Sequence, residues 1–184
     1  MITVIKLGGS LLEASVLPAC LDAVERYPGK ILIVPGGGVF AEQVRIAQKR
    51  WGFDDLAAHR MAILAMRQMA LLFNSLKPQF GLFDSVAKSA CLENTGIWSP
   101  SLPDLERAGI AASWDITSDS LAAWLADQVE ADRLILVKSA AVAENSTWAE
   151  LQAQGILDKG FVEFAAHARF NILVINKDRF LSAA

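Results

Sequence analysis

Short apolar runs alternate along the chain with segments in which apolar residues recur every three or four positions. The runs are rich in Val, Ile and Leu and have the length of strands. Strands that are apolar throughout are typical of a parallel sheet covered by helices on both faces. The pattern therefore predicts an α/β fold with a mostly parallel open sheet. Its strands are expected at residues 2–7, 31–34, 82–83, 96–98, 134–137 and 171–175.

The periodic segments between these runs predict helices. The longest covers residues 55–76, with Asp54 or Asp55 as its N-terminal cap. Ser118 predicts the start of another helix, over residues 119–129, in the same way. Further helices are predicted at residues 17–27, 40–51, 148–154 and 160–168.

The composition favours a single domain over residues 1–184. Hydrophobic residues make up 53% of the chain, which is enough for a sizeable core and too much for a disordered protein. The net charge of −3 and the absence of any Lys/Arg-rich block argue against a nucleic-acid partner. Two histidines and two widely spaced cysteines give no metal-binding or disulfide pattern, so we expect no metal site and place Cys20 and Cys91 in the core.

The apolar runs are too short for a membrane protein. No uninterrupted apolar stretch reaches the roughly 18 residues of a membrane-spanning helix. The amino terminus also lacks a basic segment followed by an apolar core, because Lys6 and two glycines interrupt the first apolar run. We therefore expect a cytoplasmic protein without a membrane partner.

Two glycine clusters follow the first two predicted strands. Residues 6–10 read Lys-Leu-Gly-Gly-Ser and residues 35–38 read Pro-Gly-Gly-Gly. Glycines let backbone N–H groups approach an anion, and Lys6 would bring a point charge to phosphate oxygens. Ligands of parallel sheets bind at the carboxyl ends of the strands, where both clusters fall. The clusters therefore favour a phosphate site, although each also suits an ordinary turn, and neither fits the P-loop or dinucleotide-binding patterns.

A third polar segment precedes the helix predicted at residues 119–129. It reads Trp-Asp-Ile-Thr-Ser-Asp over residues 114–119. Taken alone, it suits a polar loop with a helix cap. The functional interpretation places Asp119 at the helix start, facing the site, where it could hold a lysine or a metal ion, with Asp115 as the weaker acid candidate.

These three motifs, in this order, resemble those of the amino acid kinase family. Members share K-x-G-G-S in the first strand, a glycine-rich loop after the second, and an S/T-D pair that opens a later helix. The resemblance covers nearly the whole chain and ends at residues 174–176, which are similar to the family's late V-x-N strand end. It implies a three-layer αβα sandwich around a mostly parallel sheet of about eight strands.

Within the family, the chain resembles the small kinases of methanofuran synthesis. The most specific similarity is the Ser-Trp-Asp-Ile-Thr-Ser-Asp-Ser string at residues 113–120, and residues 35–45 and 58–63 extend it. This resemblance implies a phosphotransferase that uses ATP and Mg²⁺. Its acceptor would be a small phosphorylated molecule, aminomethylfuran-methyl phosphate, which becomes the diphosphate.

The resemblance also implies roles for individual residues. Lys6 would bridge the donor and transferred phosphates, and Asp119 would organise the lysines of the site. The donor side would be formed by Gly8, Gly9, Ser10 and Lys138. The acceptor side would be formed by Gly36, Gly37, Gly38, Arg45, His59, Thr117 and Ser118, with Arg60 as a further basic candidate.

Departures from the family pattern leave alternatives open. Relatives read T-D-V-D-G beside the nucleotide, whereas residues 139–145 lack both acids and the glycine. The second catalytic lysine is either Lys138 or Lys159. A degenerate kinase fold that acts as a partner or scaffold in the same pathway therefore stands beside the active kinase, and a dinucleotide-binding protein is a third interpretation. We also expect a homo-oligomer, because the Met-rich segment at residues 55–76 could bury one face in a dimer.

Overall fold

The computed structural model describes residues 1–13 and 15–183 and contains one open parallel sheet. Its strands lie in the order β3-β4-β2-β1-β5-β6. The predicted parallel sheet is confirmed, but the described residues form six strands and not the expected eight or so. The strands are β1 Ile2–Leu7, β2 Lys30–Pro35, β3 Gly81–Phe83, β4 Thr95–Trp98, β5 Arg133–Lys138 and β6 Asn171–Asn176.

The helices include every predicted segment and several short ones that the sequence pattern missed. The missed ones are α1, α5, α6 and α10, and α9 is shorter than the predicted 160–168. Their bounds are α1 Ser10–Glu13, α2 Leu17–Arg26, α3 Gly38–Trp51, α4 Asp55–Leu76, α5 Val86–Ala90, α6 Leu102–Arg107, α7 Ser118–Gln128, α8 Trp148–Ala153, α9 Phe161–Ala165 and α10 Lys177–Ala183.

Alternate residues of the central strands belong to two separate hydrophobic clusters. Val4 and Leu134 pack in one cluster with residues of α7 and α9. Their neighbours Ile5 and Ile135 pack in the other, with residues of α2 and α10. Because successive side chains of a strand point to opposite faces, the two clusters lie on opposite sides of the sheet. The layers are therefore helix, sheet and helix, which confirms the three-layer sandwich.

The long helix α4 begins as the sequence predicts, whereas α7 does not. Asp54 caps α4 by accepting the Ala57 N–H at 2.7 Å. Ser118 is the first residue of α7 and not its cap, and Thr117 at the cap position makes no side-chain bond to the helix. Asp158, in the connection between β5 and β6, accepts N–H groups at the helix start instead, so the predicted capping role of Ser118 was wrong.

Strand β1 lies at the point where the chain changes direction across the sheet. Strands β2, β4 and β3 follow on one side of β1, and β5 and β6 follow on the other. Open parallel sheets bind their ligands outside the carboxyl ends of the strands at such a switch point. The ends of β1, β2 and β5 carry the two glycine loops and Lys138, so the fold gathers the predicted motifs at one edge.

Two further expectations concern surface and core. Cys20 is buried, as predicted, but Cys91 is exposed, so its placement in the core was wrong. Throughout the described ranges, no helix combines the length and the apolar character that a membrane crossing requires.

Candidate active site

The two glycine loops touch each other beyond the ends of β1 and β2. A Cβ atom on Gly9 would lie 2.1 Å from the Cα of Gly38, and one on Gly36 would lie 3.0 Å from the amide nitrogen of Gly9. Gly38 has a φ of +55°, a conformation that residues with a side chain rarely adopt. The close contact between the loops therefore requires glycine at these positions, whether or not a phosphate is bound.

One buried carboxylate joins two lysines between these loops and β5. Lys138 Nζ donates a hydrogen bond to Asp119 Oδ2 at 2.6 Å. Lys6 Nζ lies 3.0 Å from the other oxygen, Oδ1, as an ion pair. Lys6 is 6% exposed and Asp119 is 4% exposed, so the group is almost enclosed. Two cations and one anion leave a net positive charge, which suits a phosphate ligand.

The Lys6 ammonium has donors to offer to a ligand. Among the described residues, Lys6 is the partner of the buried Asp119 Oδ1, at 3.0 Å. A Cβ on Gly8 would lie 3.2 Å from Lys6 Nζ. Because Gly8 has no side chain, the space beside the ammonium stays open at this point. An ammonium carries three N–H donors, and these can turn toward phosphate oxygens.

Burial and mutual charge set the protonation of this group. Burial alone would raise the pKa of Asp119, but the charges of Lys6 and Lys138 outweigh it and hold that pKa below its ordinary value. Burial, and then the charge of Lys6, lower the pKa of Lys138 to about 8. Asp119 is therefore ionised at neutral pH, and Lys138 titrates close to physiological pH.

A cavity of about 390 Å³ opens beside the glycine loops, and we call it the acceptor cavity because it is lined by residues predicted to bind the acceptor. Its walls are mostly apolar and come from α3, α4 and the segment before α7. Predicted residues that line it are Gly9, Ser10, Gly36, Gly37, Gly38, Arg45, His59, Thr117 and Ser118. Burial lowers the pKa of His59 below its ordinary value, so this side chain is neutral at physiological pH. The cavity suits a small, partly apolar molecule that carries a phosphate.

Trp114 forms a wall of this cavity and is fixed by a chain of hydrogen bonds. Its Nε1–H donates to Gln48 Oε1 at 2.6 Å, and Gln48 Nε2 donates to Asp55 Oδ1 at 2.8 Å. The guanidinium of Arg45 stacks on the indole, 4.3 Å from the ring centroid. Arg45 and Trp114 also line the second cavity, so this pair stands between the two.

The second cavity, of about 480 Å³, opens on the side of β5. Lys6, Asp119 and Lys138 lie at its base. The remaining wall comes from residues 139–140 and from the segment at 152–159 between α8 and α9. The three charged groups line this cavity and not the first, whereas Gly9, Ser10 and Thr117 line both.

Comparison with known proteins identifies the family of this chain. A sequence profile described as the amino acid kinase family matches residues 1–142. The chain belongs to the amino acid kinase family. The family resemblance drawn from the three motifs is therefore confirmed.

A named relative and the solved structures of two further proteins are similar to this chain. The 5-(aminomethyl)furan-3-ylmethyl phosphate kinase of Methanocaldococcus jannaschii is 30% identical over 138 residues, which are 72% of this chain. The match spans only 63% of that relative's length. The uridylate kinase of Archaeoglobus fulgidus superposes with a TM-score of 0.75 at 17% identity, covering 100% of this chain and 95% of its own. The UMP kinase of Ureaplasma parvum gives 0.68 at 17% identity, with coverages of 98% and 92%.

Two basic residues proposed for this site lie outside the buried group. Arg60 is on α4, where its guanidinium pairs with Glu106 at 2.9 Å and both side chains are about half exposed. Lys159 lines the second cavity, but it is 79% exposed and pairs with Asp115 at 3.0 Å. Arg60 does not line the acceptor cavity, and Lys138, not Lys159, is the lysine that contacts Asp119 together with Lys6.

Two polar residues of the site were undervalued from the sequence. Asp158 accepts four hydrogen bonds from Thr117 and Ser120 at the start of α7. Asn176, at the end of β6, donates to the backbone oxygens of Ser139 at 3.2 Å and Ala140 at 2.8 Å. Asn176 belongs to the V-x-N motif, which carried this signal, whereas Asp158 has no motif of its own.

The charged groups fit the phosphates of a nucleotide better than a metal ion held by the protein. In residues 1–13 and 15–183, no three His, Cys, Asp or Glu side chains are grouped as metal ligands. Both oxygens of Asp119 already face lysines. Lys6, Lys138, Ser10 and the N–H groups of the glycine loops remain as partners for phosphate oxygens.

Proposed function

We propose that this protein is an ATP-dependent phosphotransferase that acts on a small phosphorylated acceptor. The observation that carries the proposal is the enclosed group of Lys6, Asp119 and Lys138 in the wall of the second cavity, which shares the first glycine loop with the acceptor cavity. Phosphoryl transfer depends on positioning and charge neutralisation more than on covalent work by the protein. A pair of lysines beside the loop that borders both cavities supplies both requirements.

Each residue has a defined task in this proposal. ATP, bound with Mg²⁺ on its phosphate oxygens, supplies the phosphoryl group. Lys6 contacts oxygens between donor and transferred phosphates, and Lys138 neutralises charge on the donor side. Asp119 holds the two ammonium groups apart and in place. The N–H groups of Gly37 and Gly38 hold the acceptor phosphate; the Gly36 N–H is not available, since it donates to Leu7 O at 2.9 Å. An oxygen of the acceptor phosphate attacks the terminal phosphorus while the bond to the bridging oxygen breaks.

The acceptor that fits best is an aminomethylfuran-methyl phosphate, which would become its diphosphate. The support is the named relative at 30% identity together with an acceptor cavity that is small and mostly apolar. A furan ring is flat, and the fixed indole of Trp114 offers it a flat wall. Such a product places the protein in the synthesis of a methanofuran-type cofactor.

A second candidate is a scaffold that retains the kinase fold without turnover. The observation that favours it is the wall of the donor cavity at Ser139 and Ala140, which belong to the segment that lacks the two acids and the glycine of the family's T-D-V-D-G pattern. Ala140 offers no side-chain hydrogen bond to a ribose or a base. Loss of nucleotide contacts with a preserved fold is what a partner protein of the pathway would tolerate.

The deciding experiment is a phosphoryl-transfer assay with ATP, Mg²⁺ and 5-(aminomethyl)furan-3-ylmethyl phosphate. We expect diphosphate formation by the wild type and a loss of about 10²- to 10³-fold in Lys6→Met and in Lys138→Met. Lys49→Met, which removes an exposed lysine of α3, is the matched control and should turn over normally. Absence of turnover in the wild type, with intact folding, would favour the scaffold.

We further propose that α3 and α4 form the contact of a homodimer. Large apolar side chains remain exposed on this pair of helices, among them Ile46 at 51%, Trp51 at 73%, Leu64 at 46% and Leu71 at 59%. Exposed apolar patches of this kind favour association. Sedimentation should give a dimer that Leu71→Lys dissociates, and a monomeric wild type would refute this proposal.

A further inference from the structure

We propose that Asp158 is a positioning residue of the active site: it fixes the first turn of α7, and with it Asp119, to the wall of the donor cavity. This inference rests on the proposed kinase function. Asp158 belongs to the connection between β5 and β6, far in sequence from the helix it holds. Its hydrogen bonds go to Thr117 and Ser120 and not to a catalytic lysine, so its effect on catalysis is indirect.

The first argument is that Asp158 caps the start of α7 with both of its carboxylate oxygens. The N–H groups at the start of a helix lack partners within the helix, and a side-chain oxygen usually supplies one. Here Asp158 Oδ2 accepts the N–H of Thr117 at 2.9 Å, its hydroxyl at 2.8 Å and the N–H of Ser120 at 3.0 Å. Asp158 Oδ1 accepts the hydroxyl of Ser120. An ionised carboxylate is the side chain that can accept all four.

The second argument is the place of Asp119 between the two residues that are held. Asp119 follows Ser118 and precedes Ser120 in the first turn of α7. Its carboxylate must reach Lys6 and Lys138 together, at 3.0 Å and 2.6 Å. A rotation or fraying of this turn would move the carboxylate and release both lysines. The bonds to Thr117 and Ser120 prevent such movement on either side of Asp119.

The third argument is the way in which Asp158 is itself held. Gln152 Nε2 donates to the backbone oxygens of Asp158 at 2.9 Å and Lys159 at 2.8 Å. The Gly160 N–H donates to Asp115 O at 2.7 Å. A Cβ on Gly160 would lie 2.9 Å from the Ile116 side chain, so the segment packs closely on the residues before α7. The same segment lines the donor cavity, and the cap therefore ties that wall to Asp119.

The charge of Asp158 predicts an effect on the pKa of Lys138 that packing alone would not produce. The charged groups that act on Lys138 are Lys6 from β1, Asp119 from α7 and Asp158 from the capping segment. Lys6 lowers the pKa of Lys138, and the two carboxylates raise it. Removal of the Asp158 charge should lower the pKa of Lys138 further, so the ammonium would lose its proton at a lower pH.

The test uses Asp158→Asn, which keeps the shape and one acceptor oxygen but removes the charge. We expect kcat to fall about tenfold to a hundredfold, because small misplacements of catalytic groups cost that much. The KM values for acceptor and ATP should change little, and the alkaline fall of kcat should move to lower pH. Asp54→Asn, a cap of α4 outside both cavities, should change neither kcat nor its pH dependence.

The titration of Lys138 and the measurement of kcat distinguish a failure of this inference from a failure of the kinase proposal. The titration of Lys138, followed by NMR on labelled lysine without any substrate, should shift to lower pH in Asp158→Asn even if the wild type transfers no phosphoryl group. If Asp158→Asn does not fold, Ser120→Ala removes one cap bond and should lower kcat in the same direction by a smaller factor. A folded Asp158→Asn with unchanged kcat and unchanged Lys138 titration would refute the role of Asp158.

Discussion

Asp119 is the residue that holds both lysines of the site. It is one buried anion between two buried cations, and the desolvation of such a group is tolerated only when the geometry is good. Lys138 is 2.6 Å and Lys6 is 3.0 Å from it. Lys138 is the nearer partner, and each ammonium has three N–H donors, so both lysines keep donors for a ligand beside the carboxylate.

The protonation of Lys138 predicts a pH dependence of turnover. Burial, with the charge of Lys6, lowers its pKa to about 8. Below this pH the ammonium is charged and neutralises phosphate, and above it the amine is neutral while Asp119 stays ionised. We expect kcat to fall as pH rises through about 8, measured from about pH 6 to about pH 10.

Lys138→Arg is the control for this assignment. Arginine stays charged over the whole range, so the fall near pH 8 should disappear even if the maximum rate is lower. A wild-type rate that is unchanged through this pH, or a fall that persists in Lys138→Arg, would assign the titration to another group.

The hydrogen bonds of Gln48 predict an effect on the acceptor alone. Gln48→Met keeps the length of the side chain but removes its bonds to Trp114 at 2.6 Å and Asp55 at 2.8 Å. A net hydrogen bond is worth about 0.5–1.5 kcal/mol, so the acceptor KM should rise about two- to tenfold. The KM for ATP should stay constant, and Gln43→Met, on the same helix, is the control. An equal rise of both KM values would contradict a specific role of the indole.

At the scale of elements, the contact between the two glycine loops predicts the effect of a single methyl group. The Cβ of Gly9→Ala would lie 2.1 Å from the Cα of Gly38, where only backbone atoms could move away. Overpacking costs about 1–3 kcal/mol, and each kcal/mol lowers Tm by about 2–4 °C in a chain of this size. We expect both a lower Tm and a loss of acceptor binding, measured by calorimetry.

Gly52→Ala is the control for Gly9→Ala, because it adds backbone strain without a steric contact between the loops. Gly52 ends α3 with a φ of +68°, and within the described part of the chain no atom lies within 4 Å of the position that a Cβ would take there. The left-handed conformation costs alanine about 1–2 kcal/mol, so Tm should fall while acceptor binding is kept. Equal loss of binding in both variants would show that the loops respond to stability and not to their contact.

Local patterns were enough to predict most elements, and contacts distant in sequence were not. The apolar runs predicted β1, β2 and β5 because buried parallel strands are apolar on both faces. They also predicted β6, an edge strand that is only partly buried. Short helices such as α5 lack the length for a periodic signal. The cap of α7 was missed because Asp158 lies 41 positions from Thr117. The choice of Lys138 over Lys159 likewise required the pairing of β5 with β1, which no local pattern contains.

At the scale of the whole molecule, the order of the strands places two different cavities side by side. Because β1 lies between β2 and β5, the first glycine loop borders both the acceptor cavity and the donor cavity. Gly9 and Ser10 line both. Lys6 precedes this loop and lines the donor cavity, so the central strand places a cation on the donor side of the shared loop. Two cavities that share one loop suit two separate ligands, as the proposed transfer requires.

The donor cavity predicts weak and unselective nucleotide binding. Gln152, in its wall, already holds the backbone oxygens of Asp158 and Lys159, and Asn176 holds those of Ser139 and Ala140 nearby. Few polar side chains of the wall, such as Gln154, remain for base and ribose. Two or three missing bonds, each worth about 0.5–1.5 kcal/mol, weaken binding roughly ten- to a thousandfold relative to a family member with the full motif.

We therefore expect a Kd for ATP of about a millimolar, with little preference over GTP, when both are titrated with Mg²⁺ by calorimetry. The phosphates should dominate the affinity, so Lys6→Met should weaken ATP and GTP by the same factor. Inorganic triphosphate should bind nearly as well as either nucleotide, because it keeps the groups that Lys6 and the glycine loop contact. Micromolar and ATP-selective binding would show that the segment at residues 152–159 rebuilds a base site, and no binding at millimolar nucleotide would favour the scaffold.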